Sequence, residues 1–138
     1  MPEVAVNYVS VLVAAIANMV LGALWYSPAV FGKMWMKAAG KTPKDIEASK
    51  KDMPKYYALS FVGSIVMAYV LAVIIGWAQV NSIALGVILG FLIWLGFVLT
   101  VSLQPLLWEG KKQELFLLNN GYNFVALIIM AAILAVWH

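Results

Sequence analysis

The chain contains no arginine and no cysteine, and it has a single histidine, the terminal His138. The absence of cysteine excludes disulfides, thiol nucleophiles and cysteine metal sites. One histidine, with no paired carboxylates in an apolar segment and no glycine-rich phosphate loop, fits no catalytic template. We therefore expect a protein that is not an enzyme, with no catalytic residues, no metal site and no cofactor.

Charged residues are also scarce, since they make up 11% of the 138 residues against roughly 25% in soluble domains. Hydrophobic residues reach 64%, and the mean hydropathy is +0.93. A helix of about 20 apolar residues crosses the roughly 30 Å hydrocarbon layer of a membrane. The sequence predicts an all-α membrane protein, with a single domain 1–138 and four transmembrane helices. The predicted spans are about 7–26, 57–79, 83–106 and 115–137.

None of the four predicted spans contains Asp, Glu, Lys, Arg or His. An ionisable residue inside a membrane is costly and usually marks a proton relay or an ion-coupled carrier. Small four-helix multidrug exporters depend on such a carboxylate, whereas Glu3, Glu109 and Glu114 lie outside the spans or at their ends. Proton-coupled antiport of that kind is therefore not expected.

The lysines lie in two of the predicted loops. Seven are in the first loop, 29–55, and the other two are Lys111 and Lys112 in the third loop. Basic residues in short loops stay cytoplasmic, so both loops are predicted in the cytoplasm and both chain termini outside. The lysines flank membrane spans without an interleaved base-stacking motif, so no nucleic-acid partner is expected. Lys111 and Lys112 could contact a phosphate, but a topology signal is the simpler interpretation.

The first loop contains a predicted amphipathic helix after Ser27-Pro28. Apolar residues recur there at helical spacing while lysines fall on another face. Such a helix lies flat on the membrane with its lysines toward anionic headgroups, which makes membrane lipid an expected partner. The predicted lipid-interface residues are Phe31, Lys33, Trp35, Lys37 and Lys41. A short polar helix is predicted to follow at 43–52, with Thr42 as its N-cap and an acidic N3 residue, Asp45. The alternative for this loop is a simple solvated connector.

Small residues predict where helices approach each other closely in lipid. They recur at every fourth position along the second span, and the third span contains a Gly-x-x-x-Gly motif. The turn between these spans is very short, so we expect them to form a tight antiparallel hairpin. The predicted packing residues are Gly22, Ser60, Ala68, Ala72, Gly76, Gly86 and Gly90.

Polar residues of the four spans fall at similar predicted depths. With about 1.5 Å of rise per residue, one polar side chain of each span reaches a layer roughly 12 Å from the cytoplasmic boundary, and a second layer lies nearer the cytoplasm. The candidate pocket residues are Asn18, Ser64, Thr100 and Asn123 in the first layer, and Gln104 and Asn119 in the second. Two interpretations stay open: an internal hydrogen-bonded layer that fixes helix register, and a polar pocket that faces the cytoplasm and is closed on its outer side.

Two sequence blocks carry a resemblance to a known family. The first is Gly22-Ala23-Leu24-Trp25-Tyr26-Ser27-Pro28, and the second is Leu118-Asn119-Asn120-Gly121-Tyr122. Together they resemble a prokaryotic family of small integral membrane proteins of unknown function, over nearly the whole chain. The resemblance implies a four-helix domain in the inner membrane and no established activity.

Two functions of different classes remain. The organised polar layer favours a small transport or permeation protein for a small-molecule solute whose identity the sequence leaves open. The alternative is a non-catalytic membrane scaffold or accessory subunit, for which the amphipathic helix would be the contact surface. Because four short spans enclose little volume, we expect a homo-oligomer, a dimer or a trimer.

Overall fold

The structure, a computed structural model, describes residues 3–137, and within them the chain forms helices and turns but no strand. Four helical stretches are long and apolar enough to cross a membrane. They are Tyr8–Trp25, Pro43–Trp77, Ile83–Trp108 and Gln113–Val136. The all-α fold with four such helices is therefore confirmed. His138, predicted outside the cell, lies beyond the described residues.

The secondary-structure elements follow one another with short connections. They are α1 (Tyr8–Trp25), α2 (Gly32–Ala39), α3 (Pro43–Ser49), a 3₁₀ turn (Lys50–Asp52), α4 (Met53–Trp77), α5 (Ile83–Ile93), a π-helical turn (Trp94–Leu99), α6 (Thr100–Trp108) and α7 (Gln113–Val136). The ends of α1, α4, α6 and α7 that adjoin 26–52 and 109–112 form what we call the lysine-bearing end.

Side chains cap the first helices of the fold. The Asn7 side chain accepts hydrogen bonds from the amides of Val9 and Ser10 at 3.0 and 3.2 Å. Thr42 and Asp45 form a capping box at the start of α3, which confirms the predicted helix start. The hydrogen bond from the Thr42 amide, with a smaller contribution from its hydroxyl, holds the pKa of the exposed Asp45 carboxyl below its ordinary value.

α1, α4 and α7 pack against one another and form the centre of the bundle. Alanines bring the three backbones close together, because in lipid the association of helices depends on close packing of small residues. Larger side chains fill the remaining space between them. The buried residues of this centre include Ala14, Ala15, Ala68, Leu71, Ile75, Met130, Ala131 and Leu134.

The predicted hairpin of the second and third spans is wrong. α4 packs on α1 and α7, whereas α5 packs on α7. A Cβ atom at Gly90 would lie 2.9 Å from the Leu127 carbonyl oxygen, and one at Gly86 would lie 2.8 Å from the Ala131 carbonyl oxygen. The Gly-x-x-x-Gly motif therefore allows a close helix contact, but its partner is the fourth span. Small residues indicate that a helix approaches closely without indicating which helix.

The other predicted packing residues lie in different surroundings. Ala68 is fully buried and Ala72 is half-buried, both on α4. Gly76 lies against the side chain of Val4. Ser60 is exposed, so the small ridge on α4 is a packing surface only from Ser64 onward.

α2 is present as predicted in the first loop, and it contacts α7. Two aromatic residues, Phe31 directly before α2 and Trp35 within it, pack on aromatic residues at the end of α1. The ring centroids of Phe31 and Trp25 are 4.7 Å apart, and those of Trp35 and Tyr26 are 6.2 Å apart. Both Phe31 and Trp35 are half-buried in the protein. The three lysines predicted at the lipid interface, Lys33, Lys37 and Lys41, are exposed.

The third candidate span is not a regular α-helix throughout. A π-helical turn separates α5 from α6, and Pro105 lies inside α6. Proline cannot donate the helical hydrogen bond to the fourth preceding carbonyl. Trp94, at the start of the π turn, donates from Nε1 to the Asn120 carbonyl at 3.0 Å, and its ring packs edge-on against Phe124. The irregular segment is thereby tied to α7.

Candidate functional site

The segment Leu118–Tyr122 of α7 is the meeting point of the lysine-bearing end. Trp25 donates from Nε1 to the Leu118 carbonyl at 3.1 Å, and the Tyr26 hydroxyl donates to Asn119 Oδ1 at 2.6 Å. The two sequence blocks that carry the family resemblance, at the end of α1 and near the start of α7, therefore lie against each other. Aromatic residues of one block bind the backbone and amide of the other.

Two glycines make this contact possible. A Cβ atom at Gly22 would lie 3.2 Å from the Tyr122 hydroxyl oxygen, and one at Gly121 would lie 3.1 Å from the Trp25 ring. Each block thus supplies a glycine that accommodates an aromatic ring of the other block. Contacts of 3.0–3.4 Å are tighter than usual for a Cβ atom, so alanine at either position would press on the ring.

Asn18 joins three helices through its side chain. It is 7% exposed, and its Nδ2 donates to Ser64 Oγ on α4 at 2.8 Å. Its Oδ1 accepts a hydrogen bond from the Tyr122 hydroxyl on α7. The amide therefore uses both its donor and its acceptor between helices, which is how a polar group is stable at a buried position.

An open cleft of about 350 Å³ lies between α1, α4 and α7 at the lysine-bearing end. Three tyrosines form part of its wall, and we call it the tyrosine cleft. Its volume lies within the roughly 300–1,000 Å³ of small-molecule sites. Among the described residues, no Asp, Glu, Lys, Arg or His lines it. The lining consists of Asn18, Met19, Gly22, Ala23, Tyr26, Tyr57, Ser60 and Tyr122.

The polar groups of the tyrosine cleft form two sets. The hydroxyls of Tyr26 and Tyr122 already donate to asparagine side chains. Tyr57 and Ser60 are exposed on α4, and the hydrogen bonds between described residues do not use their hydroxyls. A hydroxyl can both donate and accept, so these two groups are available to a ligand.

A second, smaller cavity of about 130 Å³ lies between α6 and α7 at the same end, and we call it the α6–α7 cavity. Asn120, which is 4% exposed, is one of its lining residues. Asn120 Oδ1 accepts from the Ser102 hydroxyl at 2.8 Å, but that hydroxyl also lies 2.9 Å from the Leu99 carbonyl oxygen. The lining residues are Ser102, Pro105, Leu106, Lys111, Leu115, Phe116, Asn119 and Asn120.

The structure separates the six candidate pocket residues into several environments. It brings Asn18 and Ser64 together beside the tyrosine cleft, and Asn119 lines the α6–α7 cavity. Thr100 and Gln104 lie on the exposed face of α6, where the Thr100 hydroxyl donates to the Gly96 carbonyl at 2.7 Å. Asn123 is half-buried, and within residues 3–137 no hydrogen bond joins its side chain to Asn18. The four-residue layer expected at one depth is therefore not one hydrogen-bonded network.

Five polar residues of the two sites escape the sequence interpretation: Tyr26, Tyr57, Tyr122, Ser102 and Asn120. Tyrosines near the ends of membrane spans are typical of the membrane interface, so their residue type alone does not predict a pocket. The available signal is helical spacing, since Asn119 and Tyr122 are three residues apart on α7 and Tyr57 and Ser60 are three apart on α4. Residues three or four apart share a helix face, so Tyr57 and Tyr122 each lie on the same helix face as a polar residue.

Comparison with known proteins identifies a family without identifying an activity. The family described as "Protein of unknown function (DUF1761)" matches residues 9–135. This range contains both sequence blocks and both cavities. Comparisons with the curated proteins and with the solved structures give no match.

Proposed function

The chain belongs to the DUF1761 family of proteins of unknown function, and we propose that it is a small multi-pass membrane protein that binds an uncharged polar solute in the tyrosine cleft and transports it. The observation that carries this proposal is the cleft itself. It has a volume of about 350 Å³, and hydroxyl and amide groups line it at the ends of three apolar helices. Alanine packing alone does not require such a space.

The lysine-bearing end faces the cytoplasm in this proposal, and both chain termini lie outside. The described lysines are all in the connections at this end or within its first helical turns, and the positive-inside rule places such loops in the cytoplasm. The tyrosine cleft then opens toward the cytoplasm. A solute enters it from the inner side of the membrane.

The charge pattern favours an uncharged solute. Among the residues that the structure describes, no charged side chain lines the cleft, so an ion would lose hydration there without gaining a counter-charge, which is costly. Cations are further disfavoured because the neighbouring first loop carries seven lysines. Hydroxyl and amide groups beside aromatic rings suit a solute that has hydrogen-bonding atoms and an apolar face.

The opposite end of the bundle is closed by packing. Leu71, Ile75, Met130 and Leu134 are buried there with surrounding alanines, so residues 3–137 of one chain leave no continuous water path. Transport therefore requires either a conformational change or a path between copies.

We propose that the solute path lies between the copies of a homo-oligomer, either a dimer or a trimer. In the third span only 11% of an 18-residue apolar stretch is buried within the protein, and Gln104 is exposed on this span. A polar side chain on a lipid-facing helix is stabilised by a partner helix that supplies hydrogen bonds. Light scattering of the detergent-solubilised protein should give a mass of at least two chains, and a monomer at every concentration contradicts this part of the proposal.

Binding is tested with a matched pair of tyrosine variants on α4. Tyr57 lines the cleft and Tyr56 does not, although the two are 58% and 55% exposed. Glycerol, sugars, nucleosides and indole are suitable uncharged probes, and binding is measured as thermal stabilisation. Loss of one neutral hydrogen bond should make binding about 2- to 10-fold weaker in Tyr57→Phe, whereas Tyr56→Phe should bind as the wild type does.

Transport is tested with the probe that stabilises the protein most. Probe-loaded liposomes that contain the protein should release the probe faster than probe-loaded liposomes without protein. Tyr57→Phe should slow the release more than Tyr56→Phe. Equal effects of the two variants, or no stabilisation by any uncharged probe, would exclude the tyrosine cleft as the binding site.

A membrane scaffold is the second candidate, and one observation favours it. α2 and α3 lie outside the bundle centre, and Lys33, Lys37 and Lys41 are exposed there. An exposed basic surface beside a membrane can hold an acidic partner protein. Co-purification of a stable partner that is lost when these lysines are replaced by glutamine, without any solute flux, would favour the scaffold.

A further inference from the structure

The α6–α7 cavity differs from the tyrosine cleft in charge. Lys111 lines it, and no carboxylate does among the described residues. The neighbouring Lys112 does not line it, so the two lysines of this loop have different surroundings. A cation beside a cavity without a carboxylate favours an anionic ligand.

Its other polar groups include hydrogen-bond donors. Asn119 Oδ1 is occupied by the Tyr26 hydroxyl, and no hydrogen bond between described residues uses the Asn119 Nδ2 group. Ser102 has one hydroxyl hydrogen but two acceptors within reach, Asn120 Oδ1 and the Leu99 carbonyl. Its hydrogen can turn to a third acceptor, and neither Asn120 Oδ1 nor the Leu99 carbonyl then receives it. The donors of Lys111, Asn119 and Ser102 thus line one cavity.

The remaining wall is apolar and includes Leu106, Leu115 and Phe116. The volume of about 130 Å³ is a few times the roughly 30 Å³ that a water molecule occupies in the liquid. A group of a few heavy atoms fits, whereas an acyl chain must lie outside it, along the apolar wall.

We propose that the α6–α7 cavity binds a phosphate group through Lys111, Asn119 and Ser102. A phosphate offers only acceptor oxygens and negative charge, which matches a set of donors that includes a cation. The group belongs to an anionic phospholipid headgroup or to free phosphate, and both sources present the same chemistry to the cavity. This site does not depend on solute binding in the tyrosine cleft.

The test uses the full chain in detergent and two variants that remove the same charge. Binding is measured as thermal stabilisation by phosphatidylglycerol, by inorganic phosphate and by diacylglycerol, which has acyl chains but no phosphate. Lys111→Gln should weaken phosphate-dependent binding about tenfold or more, equivalent to about 1.4 kcal/mol. Lys112→Gln should leave it within about twofold, since a residue outside the cavity contributes only screened surface charge.

The three ligands separate the possible sources. Lys111-dependent binding of phosphatidylglycerol alone assigns the site to a lipid headgroup, and Lys111-dependent binding of inorganic phosphate assigns it to a free phosphate. An equal loss of phosphate-dependent binding in Lys111→Gln and Lys112→Gln overturns the proposal, because it indicates diffuse attraction of the ligand to both lysines. Stabilisation by diacylglycerol equal to that by phosphatidylglycerol also overturns it, as does the absence of Lys111-dependent binding with both phosphate ligands.

Discussion

A single asparagine, Asn18, connects the three helices at the centre of the molecule. Depth counting along the sequence already places Asn18 and Ser64 at one level, and the structure shows their hydrogen bond of 2.8 Å. The same counting includes Thr100, which lies on an exposed face instead. Distance along a helix axis can be read from a sequence, whereas the direction of a side chain around the axis depends on which helices become neighbours.

Replacement of Asn18 by leucine should destabilise the protein. The change removes the hydrogen bonds to Ser64 and Tyr122, and such interhelical bonds contribute roughly 0.6–1.7 kcal/mol each in membranes. We expect the free energy of unfolding to fall by about 1–3 kcal/mol, measured by unfolding in mixed micelles with increasing denaturing detergent.

Asn123→Leu is the matched control for that measurement. Asn123 is half-buried on α7, and its side chain makes no hydrogen bond with another described residue. Its replacement should change the free energy of unfolding by less than about 0.5 kcal/mol. Equal destabilisation by the two variants would contradict the role assigned to Asn18.

At the level of helices, the third span shows which packing information a sequence contains. Its Gly-x-x-x-Gly motif indicates a close approach, and Gly86 and Gly90 do lie against another backbone. A short turn to the second span favours α4 as the partner, but α7 occupies that position. The choice depends on the complementary surface of α7, where Ala131 and Ala135 allow the approach, and such long-range matching is not visible in local spacing.

Alanine at Gly90 should push α5 away from α7. Its Cβ atom would lie 2.9 Å from the Leu127 carbonyl oxygen, and overpacking of this kind typically costs about 1–3 kcal/mol. The same substitution at Gly63 is the control, because a Cβ atom there would have no tertiary contact within 4 Å among the described residues. Gly63→Ala should leave the unfolding midpoint unchanged or raise it slightly, since alanine favours helix. A Gly90→Ala protein as stable as Gly63→Ala would contradict the observed packing of α5 on α7.

At the level of the whole molecule, the two cavities lie at the same end of the bundle as the lysines. The charge-free stretches predict the four helices, and the lysine loops predict one common end, because hydrophobicity and charge act over whole segments. The tyrosine cleft and the α6–α7 cavity both lie at that end. Their shapes depend on where α1, α4, α6 and α7 meet, so the sequence predicts a polar region there but not two separate cavities with different charge.

The account as a whole depends on the tyrosine cleft being wet and open to the cytoplasm. Since the chain has no cysteine, one introduced thiol reports on one position. Ser60 lines the cleft, whereas Val62, two residues further along α4, is 57% exposed on another face of the helix. Because Ser60 and Val62 are two residues apart on one helix, their depths in the membrane differ by only about 3 Å.

The most direct measurement is labelling of Ser60→Cys by a membrane-impermeant thiol reagent, with Val62→Cys as the control. The reagent reacts with the thiolate, which forms in water and not in hydrocarbon. Ser60→Cys should react in inverted vesicles, where the cytoplasmic face is exposed, and stay unlabelled in intact cells, while Val62→Cys should react in neither. Two results would contradict a water-filled cleft that opens to the cytoplasm: labelling of Ser60→Cys from outside intact cells, or no labelling of Ser60→Cys in either preparation.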